Sequence, residues 1–228
     1  KHMKNVYYVG HPLLENKDLE PTNISFDQKK LSLGIFPGSR ESEIKNNLFM
    51  MLDCVKLNKN LDDKYRDIKI FYSSDNSKRI MLSMLPKHLQ HMLISGKDLN
   101  SIKQCKKAIT ASGTVTLELA LMGIPMIIAY RLSPLTFLIM KNMVKIKFIG
   151  LVNLILGSSL GSHQVVKEFV QPDYNDQVDI MVELEKIDHD KEYRKNIENN
   201  YSMIRSKLKN GASVNLANLV ENILISTV

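Results

Sequence analysis

Cysteine is nearly missing from this chain. Cys54 and Cys105 stand alone, with no metal-ligand or redox spacing, and nothing suggests a disulfide framework. A reducing compartment, hence the cytoplasm, is the expectation from that usage. Long apolar runs are missing too. None approaches the ~18 uninterrupted apolar residues of a spanning helix. The longest apolar region, residues 132–156, is broken by Lys141, Lys145 and Lys147. The first residues carry no secretory pattern. Basic residues do not cluster with interleaved aromatics and no nucleic-acid-binding motif is recognised, so a basic binding module for RNA or DNA is disfavoured. Histidines at 88, 91 and 163 have no ligand-like spacing, and His11 reads as a structural group in a Gly-His-Pro turn.

What is present suits a folded enzyme-sized domain. The chain has 228 residues, 44% of them hydrophobic, enough for one large domain or two small ones. Its 31 basic residues exceed the 24 acidic ones by 7, which favours anionic partners such as phosphorylated metabolites or acidic membrane surfaces.

The most informative stretch is Thr110–Tyr130. A strand over Lys107–Thr110 feeds the turn Ala111-Ser112-Gly113. A helix begins at Thr114, carries Leu117, Ala120 and Leu121 at helical spacing, and stops at Gly123-x-Pro125. A buried strand, Met126–Ala129, follows. Such a turn presents backbone N–H groups to an anion, and Glu118, one turn in, can reach a neighbouring sugar hydroxyl. A capped core helix with a solvated glutamate is the competing reading of the same residues.

A second turn of this kind lies upstream. Leu31–Phe36 alternates into a strand ending at Pro37-Gly38-Ser39-Arg40, and Ile44, Leu48, Met51, Leu52 and Val55 mark one face of the next helix. Gly38 permits close approach, Ser39 can cap or donate, and Arg40 supplies a planar fork for phosphate. Ser42 and Glu43 add polar groups in the first turn of that helix.

The remaining expectations are strands at Val6–Val9, Ile68–Tyr72 and Met92–Ile94, helices at Ser77–Met84 and Leu99–Lys106, and a polar, irregular stretch over 14–30. A helix runs from Ser133-Pro134 through Val144, Gly150–Gly157 is a loop, and Val165–Val170 precedes three helices at about 174–187, 190–208 and 212–226. Strands alternating with helices call for a parallel α/β sheet covered on both faces, with ligands beyond the strands' carboxyl ends. Two anion-receptive turns and an arginine facing one crevice suit a diphosphate.

VGHPL at Val9–Leu13, FPGSRESEI at Phe36–Ile44, ASGTVTLE at Ala111–Glu118, GIPMIIAYR at Gly123–Arg131, LVNLILG at Leu151–Gly157 and EFVQ at Glu168–Gln171 together resemble the lipid-A-disaccharide synthase family. Order and spacing agree along essentially the whole chain, all within the carboxyl-terminal part of that family.

The resemblance implies a GT-B glycosyltransferase with two Rossmann-like domains. It joins UDP-2,3-diacylglucosamine to 2,3-diacylglucosamine 1-phosphate and releases UDP in lipid A biosynthesis. On this reading residues 1–30 are hinge strand and linker, 31–172 the Rossmann-like UDP-sugar domain and 173–228 the carboxyl-terminal helices. The acceptor half, with its catalytic base, has no counterpart here.

By position, Gly38, Ser39 and Arg40 match the arginine-bearing turn near the donor phosphates. Ser112, Gly113 and Thr114 match the diphosphate turn, Glu118 the ribose-facing acid, and Asn153 a polar loop residue facing the cleft. Arg40 and Asn153 are the catalytic candidates, with Glu168 and Gln171 as further ones. Departures stand at Val152, where the family has proline, at Lys167, likewise, and over 157–164.

No cofactor or metal is expected. Asp188-His189-Asp190 spells the DxD of the other large glycosyltransferase fold, but Asp190 reads as an N-cap between two helices. Candidate partners are the sugar nucleotide, the acylated acceptor through the absent half, the inner-membrane surface through 134–144, and a second copy of the chain. Another GT-B enzyme acting on a UDP-sugar, a hexosyltransferase or an epimerase, remains the alternative.

Overall fold

Leu31–Phe36 forms β1, with Leu33, Ile35 and Phe36 buried. The computed structural model describes residues 6–56, 67–132, 148–157 and 164–225. β2 (Ile68–Tyr72), β3 (Leu93–Ser95), β4 (Cys105–Thr110), β5 (Met126–Tyr130) and β6 (Glu168–Val170) complete a six-stranded sheet of order β3-β2-β1-β4-β5-β6. Every pairing is parallel. Ile35, Ile70, Ile109 and Ile127 have no solvent exposure, as expected of strands covered on both faces.

The order reverses direction between β1 and β4. Right-handed crossovers that step one way from β1 and the other way from β4 place their helices on opposite faces of the sheet. Accordingly α1 (Glu41–Lys56) packs with α2 (Asp75–Met84) and α6 (Tyr174–His189), while α4 (Val115–Leu121) packs with α5 (Leu151–Leu156) and α7 (Lys191–Leu208). The apolar stripe expected on α1 is buried throughout, from Ile44 to Val55. α3 (Leu99–Lys103) joins β3 to β4, and α8 (Ala212–Ile225) ends the described chain.

Of the carboxyl-terminal helices, α6 and α7 pack into the core. Ile180, Leu184, Ile187, Ile197, Tyr201 and Ile204 belong to the same core as the sheet. Lys107 on β4, nearly buried, donates to the Leu184 carbonyl at 2.9 Å and pairs with Asp188. Asp173 and Asp190 cap α6 and α7, accepting from Asp176 and Tyr193 N–H groups. Asp188-His189-Asp190 is therefore built into a helix end, an ion pair and a cap.

Several local expectations are corrected. Val6–Val9 forms no strand. It lies against the carboxyl-terminal helices, with Tyr8 Oη donating to the Leu208 carbonyl at 2.6 Å and Asn215 to that of Val9 at 2.9 Å. The stretch over 14–30 contains parts of three 3-10 turns, Pro12–Glu15, Lys17–Leu19 and Phe26–Gln28. His11 Nδ1 accepts from Leu13 N–H at 3.2 Å, the structural role read for it.

Helix α3 stops at Lys103 because Cys105 is in register with Leu31. Residues 151–156, read as loop, are helical, with Val152, Asn153 and Leu156 turned inward at helical spacing. The strand before Gln171 begins only at Glu168. The helix expected from Ser133 through Val144 lies outside the described residues. No described helix is long and apolar enough to cross a membrane.

Candidate functional site

Phe36 and Thr110 are register partners, so β1 and β4 end side by side at the point where strand order reverses. The Ala111 amide donates to the Phe36 carbonyl at 2.8 Å and ties the two turns together as they leave the sheet. A crevice of about 240 Å³ opens there. It is lined by Gly38, Ser39 and Glu43 from one turn, Ser112, Gly113, Thr114 and Glu118 from the other, and Lys97 from beyond β3. Phe36 and Phe71 stack at its wall, ring centroids 4.6 Å apart. In an open parallel sheet this switch point is where ligands bind.

The two turns are not equivalent. Glu43 Oε2 accepts the Ser39 and Arg40 amides at 3.0 and 3.2 Å, and Oε1 takes the Arg40 guanidinium at 3.2 Å. A carboxylate of the chain therefore already holds the donors of the first turn, as an acidic residue in a first helical turn commonly does. Gly38 makes room for it. With φ +118 it adopts the left-handed region, and a Cβ there would lie 2.6 Å from the Glu43 Cβ. The Arg40 side chain is 81% exposed and stands at the rim rather than in the crevice lining.

The second turn is open. Among the described residues, the amides of Gly113, Thr114 and Val115 meet no acceptor, and a Cβ on Gly113 would touch nothing within 4 Å. Thr114 makes no side-chain cap. The Ser112 hydroxyl is committed, donating to the Ile149 carbonyl at 3.0 Å, so this turn offers mainly backbone donors. Glu118 faces the crevice half-buried, and burial raises its pKa above the ordinary carboxylate range.

Asn153 is placed differently from the sequence reading, and Glu168 and Gln171 lie with it outside the crevice lining. Asn153 lies on a helix, has no solvent exposure, and does not line the crevice. Its Oδ1 accepts the Val165 and Val166 amides at 2.8 and 3.0 Å. Its Nδ2 donates to the Val166 carbonyl and to Glu168, both at 2.6 Å. Gln171, at φ +56, uses its amide as a strand would, accepting from Leu132 N–H at 2.7 Å and donating to its carbonyl at 3.3 Å.

Sequence reasoning missed the bracing role of Glu43 and passed over Asn47. Buried Asn47 donates to the Pro37 carbonyl at 3.2 Å and accepts from Arg131 N–H at 2.7 Å, joining the first turn to the end of β5. Signals existed for both. Glu43 stands three residues after Arg40, and Asn47 interrupts the apolar stripe of α1 one turn after Ile44. Ile149 offered no signal, because it contributes only its backbone.

A larger cavity, about 410 Å³, lies at the amino-terminal end of the strands beside Gly123, Pro125 and α7. Its cations are engaged in packing. Lys29 donates to the Cys105 carbonyl and Arg205 to those of Leu19 and Leu121. No cluster of metal-ligating side chains occurs among the described residues.

A parallel sheet of this order, with backbone donors and an acidic side chain gathered in a crevice at its switch point, defines a Rossmann-like α/β protein. The chain belongs to the lipid-A-disaccharide synthetase family, whose profile matches residues 1–223. It is 31% identical to the lipid-A-disaccharide synthase of Syntrophotalea carbinolica over 96% of its own length and 56% of that protein's. The enzyme of Geobacter sulfurreducens is 30% identical over 96% of this chain and 57% of the relative. The chain thus spans somewhat over half the length of these relatives. A crystal structure of Anabaena HepE in complex with UDP and glucose superimposes with a TM-score of 0.45 at 11% identity, covering 88% of this chain and 49% of that one.

Proposed function

We propose that this chain is the donor-binding half of a lipid-A-disaccharide synthase. It holds the UDP of UDP-2,3-diacylglucosamine while the sugar passes to 2,3-diacylglucosamine 1-phosphate, with inversion at the anomeric carbon. The observation that carries the reading is the open turn at Gly113–Val115, set at the switch point in a member of this family. The leaving diphosphate gathers negative charge as the glycosidic bond breaks, and oriented amides stabilise such charge without reorganising. Arg40 adds its cation from the rim by turning from Glu43. Glu118 is assigned to the ribose hydroxyls. No metal is required in this scheme, so chelation by EDTA leaves UDP affinity unchanged.

The attacking hydroxyl also needs a base, and none of the residues assigned to the donor is placed for that task. We assign acceptor and base to the part of the family fold that this chain does not span. The location proposed is cytoplasmic, with the lysine-bearing segment 134–144 against the inner-membrane surface that holds the acylated substrates. Vesicle pelleting checks this. The chain sediments with anionic vesicles at low salt, and Lys141→Glu with Lys145→Glu releases it. Calorimetric titration with UDP and with RNA in moderate salt tests the central reading. UDP binds and RNA does not, and the reverse outcome removes the proposal.

A further inference from the structure

We infer that Glu168 is a positioning residue of the crevice, acting through Ile149 and Ser112 on the Gly113–Thr114 turn. The inference rests on the reading of that turn as the diphosphate site. Glu168 opens β6 opposite Ile128, and both carboxylate oxygens are engaged. Oε2 accepts the Ile149 amide at 2.7 Å. Oε1 accepts the Gly150 amide at 3.0 Å and the Asn153 side chain at 2.6 Å. The peptide joining Ile149 to Gly150 has its N–H on Glu168 and its C=O on the Ser112 hydroxyl, 3.0 Å away. A trans peptide points these two groups in opposite directions, so fixing one aims the other.

Three features show that this peptide is clamped rather than merely adjacent. Gly150 has no room for a side chain, since a Cβ would stand 2.3 Å from Ile128 Cδ1 and 2.9 Å from Glu168 Oε1. Asn153, without solvent exposure, spends both ends of its amide on Val165, Val166 and Glu168, and so sets the carboxylate itself. Ser112, finally, gives its only hydroxyl proton to Ile149, so anion binding at the turn depends on how its backbone is oriented. Glu168 is not among the residues that line the crevice. Its effect travels through one peptide and one hydroxyl.

The test is a double-mutant cycle on the 228-residue chain, with UDP and uridine as separate ligands. Glu168→Gln replaces one acceptor oxygen by a donor facing backbone N–H groups. It lowers UDP affinity by about tenfold, the weight of a hydrogen bond or two in orientation, and leaves uridine affinity unchanged. Ser112→Ala cuts the same route further along, so the double variant is no worse than the poorer single. Additive losses, or equal losses for uridine and UDP, overturn the inference. Asn153→Asp sets two carboxylates against each other and weakens UDP, and adding Glu168→Gln restores part of the loss. Absence of that rescue also counts against the relay.

Thermal unfolding separates folding defects, and if Glu168→Gln fails to fold, Ser112→Ala alone still tests the last step of the route by losing UDP but not uridine affinity. A ligand-free arm distinguishes this inference from the function it rests on. In the unliganded chain, Glu168→Gln shifts the Gly113 and Thr114 amide resonances. If UDP fails to bind the wild type, the proposed function falls while shifted resonances still uphold the relay. Unmoved resonances overturn the relay even where UDP binds.

Discussion

Arg40 and Glu118 divide the work expected at the crevice, and substitution can tell them apart. Arg40 is exposed and shares its charge with Glu43, so it stabilises the fold little by that surface pair. Arg40→Ala should weaken UDP by about 1.5–3 kcal/mol, the range of a charged hydrogen bond, with thermal unfolding nearly unchanged. An unaltered calorimetric affinity removes Arg40 from the site. Glu118→Gln should hurt UDP more than inorganic pyrophosphate, because its assigned contact is to ribose. The same substitution has a pH signature. Burial lifts the folded pKa above the ordinary value of 4.5, so the native state is favoured while the acid is protonated and loses that advantage as pH rises through the folded pKa. Without ligand, Glu118→Gln should therefore unfold at a higher temperature than wild type near neutral pH. The difference should vanish below about pH 4, under both pKa values. A constant difference across pH would assign it to packing. The buried thiols Cys54 and Cys105, each pushed up to about 12 by burial, are structural in the same sense that Glu118 is not: neither lines the crevice.

Helix α8 behaves unlike the others. Val214, Leu216, Val220, Ile223, Leu224 and Ile225 are between 48% and 68% exposed, while Ala212 alone is buried. It is held at its start by Glu15, which accepts from the Ser213 amide at 2.7 Å and bonds its hydroxyl, and by Asn215 on the Val9 carbonyl. Exposed Val6, Tyr7 and Tyr8 belong to the segment those bonds tie to it. A patch of that kind favours association in water. We expect the chain to self-associate with rising concentration in sedimentation velocity, and Leu216→Glu with Leu224→Glu to return it to monomer. Concentration-independent sedimentation of the wild type would set the patch aside. Element α4 shows the opposite economy. It is short, its interior face is fully buried, and its first turn is left open to the crevice.

At the scale of the whole molecule, inverting transfer needs donor, acceptor hydroxyl and base held together, a positioning that carries several orders of magnitude in rate. This chain spans somewhat over half the length of its relatives and carries the crevice proposed for the donor. Purified alone, it should bind UDP and form no disaccharide when supplied with both acylated substrates. An acceptor domain added in trans should restore a small rate. Vigorous synthesis by the chain alone would place the base within it and overturn the assignment of tasks.

The sequence alone determined the alternation of strands and helices, the buried stripe of α1 and the strands at 31–36 and 68–72. These depend on local periodicity, which neighbouring residues set among themselves. It also marked the two turns, through the glycine and small polar residues set between a strand and a helix at two corresponding places. What the turns do was decided by tertiary structure. Glu43 fills the first turn because α1 folds back over Gly38, whereas at the second turn no atom of the described residues lies within 4 Å of a Cβ placed on Gly113. Asn153 looked like a cleft residue in sequence and became the buried support of Glu168, since the spacing of Val152, Asn153 and Leu156 coils that stretch against α4 and α7. Ile149 could not be read at all. Its part lies in a backbone peptide whose two ends meet Glu168 and Ser112 only when β6 and the β4 turn are brought together in space.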